Sequence, residues 1–565
     1  MKRILRILLP LTIVAAALTA CGPDKPENNP EIEKYVAAHP YVAALGDDAD
    51  VLVKFHPIAI FNKTGFATDP EFQELRDMLF SDIDGMAGMM VQNVMNDFTV
   101  LGLDPANPIY LSVSNLEYEA SPYVDIYYGP SVKADVYGVV PLTSRDKLMS
   151  YLKMAGVELV ADENGNYLVS TDQAGALITE QAIIGYAALN RNIKEADVKE
   201  SLLAAAKKTT VINLKPGADA FFTRPDDISL WADNESFAAM MELGADQWLE
   251  DAGDMDLQTL LGGDLTSGTA ALLSFVSEPG ALVARGETFG TNALADRFRS
   301  WIGEPRREML SYLPTNAQAA FTFSFQNLSD ALTYAQEVLE RSGEAEGVNL
   351  PAVLGAFGVQ PEDLNGIGTM VAAVEIGDGT IDWIAAIELG DKLLSTAEMG
   401  LAFTELAEDP DAPGVYLAGD DIAVRLVDGI AFAGSCHLIG KIGPGGLAGE
   451  NFLRRNALAN HLGFLAVTLD DPMLYAPFED RNVTLIGEAI GKRFSVLKLA
   501  KEPKGNACAL KLLAKEGMQG VKALVLTLAE MWNEFDSASI PPLFPVIYED
   551  GEEMEEDDFD YDYLY

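Results

Sequence analysis

Two long stretches of this chain carry the same ordered series of turns and apolar runs, so whatever one stretch folds into the other is expected to fold into as well. Ala44-Leu45-Gly46-Asp47-Asp48-Ala49-Asp50 leads into Val51-Leu52-Val53-Lys54-Phe55, and Tyr312-Leu313-Pro314-Thr315-Asn316-Ala317-Gln318 leads into Ala319-Ala320-Phe321-Thr322-Phe323. A helix-like segment follows each, then Leu101-Gly102-Leu103-Asp104-Pro105 in one and Phe357-Gly358-Val359-Gln360-Pro361 in the other. Ile109–Val113 then answers to Met370–Val374, Asp135–Val140 to Asp382–Ile387, Tyr167–Val169 to Tyr416–Ala418, and Ile183–Ala187 to Ile430–Gly434. A repeat of this length implies two similar lobes, since short-unit solenoids repeat every 20–50 residues or so.

Local signals within each stretch are those of antiparallel hairpins. Asn164-Gly165-Asn166 separates two apolar runs, Asp428-Gly429 separates Ile422–Val427 from Ile430–Ala433, and Gly377-Asp378-Gly379 is a third such turn. These residues supply the positive φ angles that tight hairpins require. Helical patterns lie between, over Phe72–Phe80, Lys147–Ala155, Ala196–Lys207 and Ala331–Arg341. The expected fold class is therefore α+β, with two similar lobes at residues 41–300 and 309–535, each an antiparallel hairpin-rich sheet with packed helices. Residues 536–565 contain Pro541, Pro542 and Pro545, and carry ten acidic and no basic residues from Glu549 on. Such a run cannot bury enough apolar area to offset chain entropy, so a disordered tail is expected.

The N-terminus reads as an export signal. Lys2, Arg3 and Arg6 precede an apolar core through Ala17, too short for a permanent span of ~20 residues. Leu18-Thr19-Ala20-Cys21 closes it, a run that resembles the bacterial lipobox. The resemblance implies diacylglycerol on the Cys21 sulfur, cleavage of residues 1–20, and a linker over 21–40. Several acyl chains at ~0.8 kcal/mol per buried CH₂ would hold the chain to a membrane. Gly22 in place of an aspartate implies the outer membrane, facing either the periplasm or the outside.

Charge narrows the partners. The chain has 39 Lys and Arg against 86 Asp and Glu, a net charge of −47, and loss of the three basic leader residues would take it to −50. Such a surface repels phosphate backbones, so nucleic acid is a poor partner and none is expected. With Cys21 lipidated, Cys436 and Cys508 remain. A disulfide is allowed in an oxidising envelope, but both lie in apolar, strand-like stretches that favour two free thiols.

Catalytic signatures are weak. The four histidines, His39, His56, His437 and His461, show no metal-ligand spacing, and Cys436-His437 on a strand would face opposite sides. Ser144–Lys147 reads as a helix cap followed by its first turn, and Ser495–Lys498 lies in a strand pattern. Met86, Met89 and Met90 share a helical face, which suits core filling better than a copper site. No cofactor, no metal and no enzyme activity are expected. Tyr118, Tyr123, Tyr127 and Tyr128 fall in an insert that the second stretch lacks, and are candidates for stacking on sugars or anchoring an interface. Asp536-Ser537-Ala538 resembles the short O-glycosylation signal of exported Bacteroidota proteins, which makes Ser537 a candidate acceptor.

Lipobox, acidic linker, the Ala49-Asp50-Val51-Leu52-Val53-Lys54-Phe55 opening and the duplicated α+β body together resemble a Bacteroidota family of large envelope lipoproteins built on a domain of unknown function. The resemblance spans nearly the whole mature chain and implies an envelope location, with no catalytic residue carried over. The expectation is a non-catalytic outer-membrane lipoprotein that binds or scaffolds another envelope component. The alternatives are a glycan-binding surface lipoprotein using the tyrosine insert, and an envelope hydrolase with a site assembled from remote residues.

Overall fold

Hairpin turns and apolar runs of five to eleven residues dominate both halves of the chain, and they fold into strands that join one sheet. The computed structural model describes residues 30–80 (except 47), 93–119 (except 96), 131–208 (except 155 and 158), 215–234, 268–341 (except 291 and 292), 349–443 (except 378, 379, 404, 405 and 420), 446–447, 463–475, 481–501 and 508–534 (except 516). Cys21, Tyr123, Tyr127, Tyr128, Ser537, His461 and the Met86–Met90 stripe lie outside the described residues.

The first half supplies β1 (Val51–Phe55), β2 (Ile109–Glu119), β3 (Ser131–Pro141), β4 (Tyr167–Ser170), β5 (Ala174–Ile178), β6 (Ala182–Leu189), β7 (Ile228–Asp233), β8 (Thr269–Glu278) and β9 (Ala281–Gly290). The second supplies β10 (Ala319–Ser324), β11 (Thr369–Gly377), β12 (Thr380–Glu388), β13 (Ala407–Glu408), β14 (Val415–Leu417), β15 (Ile422–Val427), β16 (Ile430–Ser435), β17 (Ile442–Gly443), β18 (Gly446–Leu447), β19 (Gly463–Thr468), β20 (Phe494–Lys501) and β21 (Cys508–Ala514). All except the small β17–β18 pair belong to one 19-stranded antiparallel sheet. From one edge, the first half runs β4-β5-β6-β3-β2-β1-β7-β8-β9. From the other edge, the second runs β13-β14-β15-β16-β12-β11-β10-β19-β20-β21.

The halves meet strand to strand. β9 pairs with β21 over Ala281–Gly286 and Cys508–Leu513. Separate sheets would leave both strands with unpaired backbone groups along an edge, and joining them removes both edges. This differs from the expected pair of sheets. The hairpins form as their turn residues require: Asp428 and Gly429 adopt φ of 52° and 81°, and Gly165 adopts 78°.

Helices cover one face of the sheet on each side of the seam. In the first half, Leu45, Val198, Leu202 and Phe221 pack on Leu52, Tyr110, Ile184 and Trp231. In the second, Leu310, Leu313, Leu438 and Ile439 pack on Val371, Ile384 and Phe432. The segment expected as a linker includes the helix Pro30–Ala38, whose Ile32 and Val36 are buried with Ala218 because their i,i+4 spacing gives one apolar stripe. Cys436-His437, expected on a strand, instead opens the short helix Cys436–Gly440 behind β16. Among the described residues no helix is long and apolar enough to cross a membrane.

The helix Gly520–Glu534 locks the second half onto the first. Gly280 N donates to Met518 O at 2.9 Å, Ala514 N donates to Gly280 O at 2.8 Å, and Val521 N donates to the buried Ser277 Oγ at 2.9 Å. Lys522 pairs with Asp69 and Glu71 of the first half, and lowers the Asp69 carboxyl below its ordinary range chiefly by hydrogen bonding. A side chain at Gly520 would put Cβ 2.1 Å from Ala281 O and 2.3 Å from Ala281 C, both backbone atoms that cannot yield. Gly520→Val should therefore cost about 3 kcal/mol or more in denaturant unfolding. Gly355→Ala, in a helix with nothing within 4 Å of the new methyl, should be neutral or slightly stabilising. Equal stability of the two variants would contradict this account of the seam.

Candidate functional site: the uncovered face of the sheet

Side chains alternate between the two faces of a strand, and cross-strand partners share a face. Along β1, Leu52 and Lys54 are 0% and 2% exposed under the helices, whereas Phe55 on the other face is 39% exposed. An antiparallel sheet with one open face ordinarily places polar residues there. This sheet does not.

Two rows of the ladder make the point. The first crosses β2, β1, β7, β8, β9 and β21 as Leu111, Val53, Leu230, Leu273, Gly286 and Cys508. The second starts at Ile109 and runs through Phe55, Ile228, Phe275 and Ala284 to the seam. It crosses to Leu510 and continues as Leu499, Leu465, Phe321 and Ala372, then Ala385, Ala433, Val424 and Tyr416. Neither row contains a charged residue. At ~4.8 Å between strands the second row extends roughly 60 Å. Leu111, Leu273 and Leu510 are 41%, 39% and 42% exposed, and a Cβ built on Gly286 would meet nothing within 4 Å. The face is thus open at these positions of the two rows. It is roofed at the β5–β6 end by the helix Arg145–Met154, where Leu148 buries with Leu142 and Ile178, and beside the seam by the helices Arg481–Arg493 and Gly520–Glu534, where Ala523 buries with Val467, Leu497 and Leu512 of the next row on the same face.

Other groups that carry chemistry are tied into the scaffold. His56 caps the helix Pro57–Thr64, with Nδ1 accepting from Ala59 N at 3.4 Å and Nε2 bonding to Ala106 O at 3.2 Å. His39 contacts the Tyr41 hydroxyl at 3.0 Å, and burial lowers its pKa against the opposing field of Asp104. His437 lies 3.3 Å from Asp382. Ser144 Oγ accepts from Lys147 N at 3.3 Å, the cap read from sequence. Neither Cys436 nor Cys508 forms a disulfide. Tyr118 is placed by backbone register opposite Val132 at the end of β2, apart from the apolar rows. A cavity of about 540 Å³ lies at the seam, lined by Pro70, Glu71, Glu74, Asp77, Arg493 and Leu526. Among the described residues no group of three His, Cys, Asp or Glu side chains is placed to hold a metal ion.

Lys54 is the residue that sequence reasoning missed. Its Nζ donates to the carbonyls of Phe221 and Arg224, each at 2.6 Å, beneath the helix-covered face. Burial lowers its pKa to about 8, with Asp226 opposing the shift and Arg224 adding to it. A strand reading Val-Leu-Val-Lys-Phe puts residue 54 on the same face as Leu52, and that periodicity was the available signal.

No family model matches the chain, and no curated protein matches it. Among solved structures, crystal form I of TP0453 is similar at 9% identity and a TM-score of 0.22, covering 43% of this chain and 76% of that one. A likeness at that score carries no argument about fold or function.

The buried lysine gives a pH test. Its folded pKa lies below the ordinary 10.5, so between about pH 8 and 10.5 the unfolded chain binds more protons and stability rises with pH. Lys54→Met should abolish that rise, changing the difference in unfolding free energy from wild type by about 2 kcal/mol between pH 7.5 and 9.5. Parallel stability curves for the two proteins would show that Lys54 does not titrate as its burial requires.

Proposed function

We propose that this chain is a non-catalytic, lipid-anchored protein of the bacterial outer membrane, built from two copies of one lobe, which holds another envelope component on the apolar face of its sheet. The observation that carries the proposal is the row from Ile109 to Tyr416, apolar at every step and unbroken across the seam. Monomeric soluble proteins rarely leave contiguous apolar patches above a few hundred Å², and larger ones mark interaction sites. Anchoring through Cys21 and the resemblance to envelope lipoproteins supply the location.

Strand order and register support the duplication. Leaving aside β13, β17 and β18, both halves run from edge to seam through their fourth, fifth, sixth, third, second, first, seventh, eighth and ninth strands. Val51 pairs with Val113 and Ala232, and Ala319 pairs with Val374 and Val467, as the sequence match requires. Leu45 and Leu313 are both fully buried at the end of 3-10 turns ahead of β1 and β10. Carried inward along the ladders, Arg285 and Ala509 fall at equivalent points, and they pair with each other. A twofold relation between the lobes would have its axis there. Carried outward, Val415 stands where Leu168 does, so Tyr416 lies two residues past the counterpart of Tyr167.

A photo-crosslinking residue placed at Leu273 or Leu510 should give adducts in intact cells, and one at Phe357, 70% exposed away from the rows, should give none. Absence of adducts from both face positions, with the variants folded and present in the envelope, would overturn the proposal.

A further inference from the structure

We infer that the occupant of the open face is lipid, held by the acyl chains of zwitterionic phospholipid drawn from a membrane; the inference rests on the proposed function and specifies its ligand. Three observations favour this occupant. The first is chemical. Backbone N–H and C=O groups along the rows are consumed by the ladder, and the row side chains from Leu111 to Gly286 and from Ile109 to Leu510 offer no charge and no strong hydrogen-bonding group. Such a surface rewards burial of hydrocarbon and leaves a polar ligand group unsatisfied.

The second is electrostatic. A chain at −47 repels both a second copy of itself and an anionic bilayer. Chains of a zwitterionic lipid carry no such penalty.

The third is the placement of exposed apolar residues on or just beyond the helices that follow the third strand of each half. The helix Arg145–Met154 follows β3 directly, and Met154 and Val160 beyond it are 71% and 89% exposed. The helix Asp391–Phe403 follows β12 in the same way, with Met399 and Phe403 exposed one turn apart. Each half therefore presents an apolar tip at the end of the helix that succeeds its third strand. Single exposed apolar side chains are ordinary, but two sets at corresponding places suit insertion into a bilayer interface. Lipid would enter at these tips and lie across the rows.

The test uses the full chain mixed with phosphatidylcholine vesicles that contain a pyrene-acyl phosphatidylcholine, followed by flotation to remove the vesicles. Wild type should retain labelled lipid at a constant molar ratio across protein concentrations. The double variant Leu230→Asn, Leu273→Asn should lose affinity by about tenfold or more with little change in melting temperature. Met399→Ser with Phe403→Ser should slow loading while reaching the same end point. Protein that retains no label, or a face variant that retains it as well as wild type, would overturn the lipid assignment. Protein adducts from Leu273 or Leu510 in cells together with no retained lipid would defeat this inference and leave the docking proposal standing. Neither adducts nor lipid would defeat both.

Discussion

The β9–β21 ladder is the contact on which the rest of the architecture depends. It is an edge-to-edge pairing between the last strands of the two halves, and it turns them into one sheet. Its register also decides the chemistry of the open face. Ala284 stands opposite Leu510 and Gly286 opposite Cys508, so the apolar rows of the first half run on into those of the second. A slip by one residue would bring Arg285 and Lys511 into those rows and reverse the faces of everything beyond. The helix Gly520–Glu534 holds that register from the face of the rows, through Ser277 and the close approach to Ala281 that only glycine at 520 permits.

A sheet apolar on both faces must be covered on both, or must expose one for use. Helices cover one face of each half with large cores, and on the other face roofs are seen at the β5–β6 end and beside the seam under the helix Gly520–Glu534. This division gives the two faces different work. The covered face carries stability, including a buried lysine whose charge is satisfied by backbone carbonyls. The open face carries the proposed function, and its middle strands present leucines roughly two-fifths exposed.

Much of this was legible in the sequence, and the limits have physical causes. Asp428-Gly429 and Asn164-Gly165 marked their turns because positive φ is costly for most residues, and the structure places Asp428, Gly429 and Gly165 at such angles. The helix patterns at Lys147–Ala155 and Ala196–Lys207 match helices Arg145–Met154 and Glu195–Ala205 to within a residue or two at each end. The β9–β21 pairing was not legible, since edge pairing between distant strands leaves no local signature in either. Nor was the open face. An apolar run such as Thr269–Phe275 shows that a strand is flanked by apolar space on both sides, but not which side the chain itself fills. Cys436-His437 misled because the helix that they open is only one turn long, although Gly434 and its N-cap Ser435 stand directly before it. The tyrosine insert, apart from the register of Tyr118, lies beyond the described residues.

Cys508 offers the most direct measurement of the central claim, that the face crossing the seam is where an apolar ligand lies. Its side chain belongs to the row of Leu273 and Gly286, and it forms no disulfide. With Cys436 replaced by serine, a polarity-sensitive bimane attached at Cys508 should shift its emission to shorter wavelength when phosphatidylcholine vesicles are added, saturably and reversibly. The same probe at Phe357 should not respond. An emission at Cys508 that stays at its aqueous wavelength throughout the titration would contradict the claim.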